Sequence, residues 1–374
     1  VLYHLLYPLQ EYFGALRVFQ YITFRAAGAA ATAILLTFVV APPIIRKLRL
    51  RKVGQIIRAD GPTSHQSKVG TPTMGGVIIL LCTIVPTLLW ARLDNRYVIV
   101  AMIATLWTGV IGFIDDYLKI IQGKPRGLVA RYKLVGQITF GVALGIYLLV
   151  WPMAPNLPYA NAITLPFFKW VLIVLPVPVF VAFVALVTAG TSNAVNLTDG
   201  LDGLAAGLAM IAASTFAVFA YVIGRIDTSA YLNIFYLVNS GELTIFCTAL
   251  AGACLGFLWF NSYPAEVFMG DTGSLAVGGA LGTVAILLKS EFLLLIVGGV
   301  FVAETVSVIL QTGVFKYRKR RYGAEYAREH RVFRMAPLHH HFEKSGWAEP
   351  LIVTRFYILG IFCALLALAT LKIR

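Results

Sequence analysis

YVIVAMIATLWTGVIGFIDD (residues 97–116) runs through eighteen residues without a charge and then sets two aspartates side by side. At 1.5 Å per residue, eighteen helical residues cover about 27 Å, close to the thickness of a bilayer's hydrocarbon core. Read as a transmembrane helix, the stretch leaves Asp115 and Asp116 at a membrane boundary. The whole chain supports that reading. Of its 374 residues 59% are hydrophobic and only 13% charged, with mean hydropathy +0.80. Soluble domains carry about 25% charged residues. Apolar cover on this scale excludes a water-soluble fold and predicts an all-α, polytopic membrane protein. The first twenty residues lack a basic start, a short apolar core and a small-residue cleavage site, so no cleaved signal peptide is expected.

Outward from 97–114, similar apolar stretches lie at 22–45, 74–91, 133–151, 170–188, 203–223, 242–260, 273–289, 291–313 and 351–371. Ten spans place both termini on one side. The segments 46–73, 115–133, 189–202, 261–272 and 314–355 hold 22 of the 31 Lys and Arg residues, and everything else holds nine. The positive-inside rule makes the 22-residue side cytoplasmic and both termini periplasmic. The net charge of +14 is therefore topological, and no nucleic-acid partner is expected. The connector 152–169 is Pro-rich with interfacial aromatics, and no internal repeat suggests a transporter built from inverted halves. The chain reads as a single transmembrane catalytic domain over 1–374, with its active site on cytoplasmic loops.

Only 17 residues are Asp or Glu, so their positions carry information. Asp115 and Asp116 follow an uncharged span. Asp199 and Asp202 sit in TSNAVNLTDGLDG and Asp271 in FNSYPAEVFMGDTGS, two loops without Lys or Arg. Carboxylates gathered this way repel unless a cation joins them. Asp271-Thr-Gly-Ser ahead of an apolar span also suits a helix cap. Carboxylate oxygens with few other ligands suit Mg²⁺, which keeps waters and takes substrate phosphates to complete its shell. Such neutralisation is what phosphoryl transfer needs most. Asn193, Asn196, Asp199 and Asp202 recur every three residues, so neighbours share a helix face while the set drifts off it. Gly200 and Gly203 permit close backbone approach.

The run His339-His340-His341 is internal. If extended, it turns His339 and His341 to one side. No Cys lies nearby for a zinc site, and imidazoles meeting a diphosphate fit better. Lys68, beside Gly70, Thr71, Thr73, Gly75 and Gly76, resembles an anion-reading loop without the spacing of a Walker A motif. The four cysteines, Cys82, Cys247, Cys254 and Cys363, fall in apolar stretches as small hydrophobes. Glu304 lies within a span and is left outside the site as a residue that packs or pairs between helices.

Five stretches, SKVGTPTMGG, FIDDYLK, SNAVNLTDGLDG, FNSYPAEVFMGDTGS and PLHHHFEKSGW, lie in order between residues 67 and 347, all on the predicted cytoplasmic side. Together they resemble the phospho-N-acetylmuramoyl-pentapeptide transferases, the MraY branch of the polyprenyl-phosphate N-acetylhexosamine-1-phosphate transferase superfamily. The resemblance implies ten transmembrane helices, usually in a homodimer, in the bacterial inner membrane. It implies transfer of phospho-MurNAc-pentapeptide from UDP-MurNAc-pentapeptide to undecaprenyl phosphate, with release of UMP and formation of lipid I for peptidoglycan. By motif, Asp115, Asp116 and Asp271 would form the Mg²⁺-dependent catalytic centre, and His339, His340 and His341 the diphosphate region. Lys68, Thr73, Asn193, Asn196, Asp199, Gly200, Leu201, Asp202, Asn261 and Phe268 would line the nucleotide and sugar side, with Phe268 stacking on uracil and Asp202 accepting its imide N–H.

Two routes stay open at this stage. An aspartate of the 115–116 pair forms a phospho-enzyme, or the lipid phosphate attacks directly with an aspartate taking or orienting its proton. Direct attack is preferred, with Asp115 acting on the lipid phosphate and Asp271 as main metal ligand. A sibling enzyme using UDP-GlcNAc and a membrane transporter are the competing readings. A transporter predicts ionisable groups along the middle of its spans.

Overall fold

The computed structural model describes residues 1–50, 70–120, 127–153, 159–168 and 172–373. In chain order its helices are α1 (Leu2–Leu6), α2 (Ile22–Leu50), α3 (Gly76–Trp90), α4 (Arg96–Ile120), α5 (Ala130–Val150), α6 (Val177–Thr198), α7 (Leu204–Ile223) and α8 (Ile226–Leu232). There follow α9 (Leu243–Asn261), α10 (Gly270–Leu287), α11 (Glu291–Val297), α12 (Gly299–Tyr322), α13 (Ala324–Glu329), α14 (Leu338–Lys344) and α15 (Glu349–Ile373). Nine helices among the described residues, α2, α4, α5, α6, α7, α9, α10, α12 and α15, are long and apolar enough to cross a bilayer. The chain is a multi-pass membrane protein.

The tenth expected span is α3. Its 15 residues reach only about 22 Å, short of the hydrocarbon core. The segment leading into it makes up the difference by being buried. Phe268 N donates to Pro72 O, Gly75 N to Phe268 O and Gly76 N to Met269 O, each at 2.8 Å. Backbone satisfied in this way can sit at membrane depth without being helical.

Several boundaries differ from the hydropathy reading at the end that carries polar residues. Helix α4 continues past Ile114 to Ile120, α6 past Thr188 to Thr198, and α10 begins at Gly270 rather than 273. Apolar windows end where charge begins, but these polar side chains find partners on neighbouring helices, so the helical backbone continues. The expected span 291–313 is two helices, α11 and α12, broken at Gly298, and α12 runs on to Tyr322. Part of the expected 170–188 span is strand. Leu172–Val174 pairs antiparallel with Ala162–Thr164, and α6 starts only at Val177 with Pro178 in its first turn.

Helix α10 lies at the centre, buried from Thr272 to Leu287 and packed chiefly against α4 and α6. Its sequence, GDTGSLAVGGALGTVAIL, is mostly small residues, which let helix backbones approach within a membrane. The approach is closest where α4 crosses its start, because a Cβ on Gly112 would collide with the Asp271 carbonyl. That crossing brings Asp115 and Asp116 of α4 to the first turn of α10.

At the other end of the bundle, Arg25 of α2 is 1% exposed and makes a two-pronged bond to Glu242, Nη1 to Oε2 at 2.7 Å and Nη2 to Oε1 at 2.6 Å. Lys372, near the end of α15, lies 4.3 Å over the Tyr231 ring of α8. The first and last long helices therefore begin and end together, away from the carboxylates.

Candidate active site

The centre of the site is a four-group charge cluster. Lys119 lies one turn after Asp115 on α4 and Lys133 near the start of α5. Lys119 Nζ donates to Asp115 Oδ2 and Asp271 Oδ2, both at 2.7 Å. Lys133 Nζ donates to the same two oxygens at 2.7 and 2.8 Å. Two carboxylates thus converge on one point and are held there by two ammonium groups. Leu128 N, at 2.6 Å, occupies the other Asp115 oxygen, and Asn196 Nδ2, at 2.6 Å, occupies Asp271 Oδ1. Asp115 is fully buried, whereas the Asp271 side chain is 15% exposed, so the cluster opens on the Asp271 side.

Asp116 adjoins Asp115 in sequence but does different work. Its Oδ2 accepts from Thr272 N at 2.9 Å and Thr272 Oγ1 at 2.6 Å, and its Oδ1 from Asp271 N at 3.2 Å. Two of these donors are amides of the first turn of α10, where a negative charge also meets the positive end of the helix dipole. Asp116 caps a helix from another helix, and so fixes the backbone that carries Asp271. Asp116→Ala is expected to lower stability by about 2 kcal/mol, the upper range for losing a cap, seen as a lower melting temperature in detergent. An unchanged melting temperature would refute the capping role.

The expected loop residues mostly stand on helices. Asn193 and Asn196 are in the last turns of α6, Asp199 is its C-cap, and Asp202 lies in the turn before α7. The set faces several partners, as drift off one helix face requires. Asn193 Nδ2 donates to Gln137 Oε1 at 2.7 Å, and Gln137 Nε2 to Ser192 Oγ at 3.1 Å, a buried network tying α5 to α6. Asn196 Nδ2 also lies 2.8 Å from Ser274 Oγ. Desolvation, followed by the Asp271 and Asp116 carboxylates, pushes Asp199 up to about 8.

Asp202 is buried, and its Oδ2 accepts from Ala265 N at 3.0 Å while its own N donates to Glu349 Oε1 at 2.7 Å. Asn261 is equally enclosed, bridging Val267 O at 2.8 Å and Gly203 N at 3.2 Å. It braces the turn that carries Asp202. Thr73 and Leu201 are buried, and Phe268 is half-buried beside the 72–76 segment. Lys68 lies outside the described residues.

The histidines are helical, not extended, so His339 and His341 do not share a side. In α14, which follows Pro337, His339 is fully buried with its ring against Gly200. His340 Nδ1 lies 2.7 Å from Glu343 Oε2, and His341 Nδ1 accepts from Arg334 N at 3.1 Å. The close neighbour that Gly200 accommodates is the His339 ring: a Cβ there would overlap Nε2.

Lys119, Lys133, Gln137 and Glu304 escaped the sequence reading. Lys119 had a signal, its four-residue spacing from Asp115, which matters only once α4 is known to continue. Lys133 and Gln137 had none, since only the packing of α5 brings them in. Glu304 was visible as an intramembrane acid, a position functional by default. Of the two roles the sequence allowed it, the structure shows the pairing, with His339 of α14.

The donor set can be tested for a divalent cation. Asp115 Oδ2 and Asp271 Oδ2 already converge on positive charge and are hard oxygen donors, as Mg²⁺ prefers. Among the described residues no group of three or more His, Cys, Asp or Glu side chains forms a ready-made metal cage. The donor set fits a cation shared with a substrate, since two carboxylates alone leave most of its shell to phosphate oxygens and water, and Lys119 and Lys133 stand where it would bind. The Asp116 oxygens are engaged in capping.

Residues 98–289, just over half of the chain, match the family described as Glycosyl transferase family 4, and residues 68–80 match phospho-N-acetylmuramoyl-pentapeptide-transferase signature 1. Similar proteins named phospho-N-acetylmuramoyl-pentapeptide-transferase include that of Gemmatimonas aurantiaca, 60% identical over 382 residues, with all of both chains covered. Those of Citrifermentans bemidjiense and Thermodesulfovibrio yellowstonii are 51% and 50% identical, again over the full length of both chains. A carboxylate–lysine cluster at one end of a bundle of membrane-length helices, with identity at this level from end to end, places the chain in the phospho-N-acetylmuramoyl-pentapeptide transferase family.

Proposed function

We propose that this protein transfers phospho-MurNAc-pentapeptide from UDP-MurNAc-pentapeptide to undecaprenyl phosphate, giving lipid I and UMP, at the cytoplasmic face of the bacterial inner membrane. The observation that carries the reading is the convergence of Asp115, Asp271, Lys119 and Lys133 on one point, at the helix ends that the Lys and Arg count assigns to the cytoplasm. A water-soluble nucleotide and a membrane-bound phosphate can both reach that depth.

Asp115 and Asp271 would hold Mg²⁺, which when bound neutralises charge on the diphosphate. In the reaction a lipid-phosphate oxygen bonds to the phosphorus that carries the sugar. The bond from that phosphorus to the bridging oxygen breaks, and its electron pair leaves with UMP. Lys119 and Lys133 are positioned to exchange carboxylate for phosphate oxygens and so stabilise negative charge on the transferring group. Asp115 orients the attacking lipid phosphate through Lys119 and Lys133, the direct-attack route. Asp116 keeps the start of α10, and hence Asp271, in place. Assembly as a homodimer belongs to the same reading and is checked by the mass of the purified protein in detergent.

A donor assay tests the activity. UMP should be released with UDP-MurNAc-pentapeptide and undecaprenyl phosphate, should stop on chelation of divalent cations, and should return with Mg²⁺. Turnover of UDP-GlcNAc alone would reassign the protein to the sibling activity, and turnover surviving chelation would remove the metal from the reading.

A further inference from the structure

Glu304 is the acid that the site described above does not use. It lies on α12 and is 0% exposed, as is His339 on α14. Glu304 Oε1 accepts from His339 N at 3.2 Å, and Oε2 stands 3.2 Å from His339 Nδ1. Among the described residues the second carboxylate oxygen and both ring nitrogens complete no hydrogen bond. The other edge of the ring, at Nε2, rests on Gly200, next to Asp199. A carboxylate, an imidazole and a glycine turn are therefore stacked in line, joining α12 and α14 to the end of α6.

Burying a carboxylate and an imidazole with incomplete bonding is costly. An apolar pair of the same volume would join the same three elements at lower cost. Buried polar atoms left unsatisfied call for an explanation. A stacking role explains the glycine and the ring, but only an electrostatic role explains the carboxylate aimed at Nδ1. A carboxylate on one imidazole nitrogen selects which nitrogen carries the proton and fixes the ring plane. The fixed ring then sets the position of the Asp199–Gly200 turn. The end of α6 that this turn closes already touches the start of α10, where Asn196 Nδ2 lies 2.6 Å from Asp271 Oδ1 and 2.8 Å from Ser274 Oγ.

We infer that Glu304 is a positioning residue for the transfer reaction, acting through His339 to seat the Asp199–Gly200 turn against the start of α10. It keeps the proton of His339 on Nδ1, facing the carboxylate, and presents the other edge of the ring to Gly200. The inference rests on the transferase reading of the site.

The test uses E304Q, E304D, H339N and the double variant E304Q/H339N in the full-length protein. Gln retains an oxygen for His339 N but loses the charge facing Nδ1. E304Q should keep its melting temperature and lose about 10- to 100-fold in kcat, the usual cost of removing a group that orients a functional imidazole. KM for UDP-MurNAc-pentapeptide should change far less, and E304D should recover part of kcat. The double variant should be no slower than H339N, because residues acting through one another do not add. Losses that multiply, or a kcat loss that only tracks a fall in melting temperature, would overturn the inference. NMR of the imidazole nitrogens gives a readout independent of turnover: Nδ1 should be the protonated nitrogen of His339 in the unaltered protein, with that preference lost in E304Q. An unchanged tautomer in E304Q overturns the inference even if the unaltered protein releases no UMP, a result that would count against the transferase reading alone.

Discussion

Asp271→Asn is expected to lower kcat for UMP release about a thousandfold, with little change in melting temperature. Asp271 Oδ2 receives both ammonium groups, at 2.7 and 2.8 Å, and shares them with Asp115. Neutralising it leaves two cations facing one buried carboxylate, and any cation shared with substrate loses one of its two anionic ligands. A thousandfold loss corresponds to about 4 kcal/mol of transition-state stabilisation, a reasonable share for one charged group in a preorganised phosphoryl-transfer site. The asparagine keeps the shape of the side chain and its main-chain bond to Asp116, so the capped start of α10 survives. Single-turnover measurement of UMP with saturating donor gives the number directly. Activity within tenfold of the unaltered protein would remove Asp271 from the centre of the chemistry. Lys133→Met should cost about 100-fold on the same measurement, because Lys119 still bridges the two carboxylates.

The second large effect concerns folding, at the opposite end of the bundle. Arg25→Met is expected to destabilise the protein by about 3–5 kcal/mol, the cost of leaving a buried charge without its partner. Glu242 is 5% exposed, and besides Arg25 it accepts, among the described residues, from the Arg92 main-chain N–H at 3.1 Å. Removing the guanidinium strands the carboxylate between α2 and α9. The double variant Arg25→Met/Glu242→Met should regain most of the loss, since an apolar pair in a buried site is often neutral or better. Thermal unfolding in detergent reports both variants. Equal melting temperatures for Arg25→Met and the unaltered protein would show that the pair contributes nothing. Transfer activity at a temperature where each variant remains folded should be unchanged, because the pair lies at the end of the bundle away from the carboxylates.

The two predictions separate features with different visibility in the sequence. Asp115, Asp116 and Asp271 stood out because acids are rare in this chain and cannot be placed cheaply near lipid. Arg25 and Glu242 are 217 positions apart, and nothing local marks them as partners. The histidines show an intermediate case. Their presence was plain, but an extended run would have turned His339 and His341 to one side, whereas Pro337 starts a helix that buries His339 and leaves His341 near Arg334. Asp115 and Asp116 show another. Sequence reading put both in the metal centre and assigned only Asp115 a further role, on the lipid phosphate, whereas in the structure each meets its own set of donors.

What the sequence determined alone was the membrane-spanning, all-helical class, the side on which the basic residues lie, and the chemical type of the site. Each follows from local composition: apolar length against bilayer thickness, Lys and Arg counts between spans, and acids confined to a few segments. What only the tertiary structure decided was the division of labour within the site. Lys119 and Lys133 joining Asp115 to Asp271, Asp116 capping α10, and Glu304 reaching His339 all depend on helices distant in sequence crossing closely, as at Gly112. The polar ends of α4, α6 and α10 are helical because those crossings satisfy their side chains. A hydropathy window ends each helix at its first charged residue, since the partner that keeps the charge comfortable lies on another part of the chain.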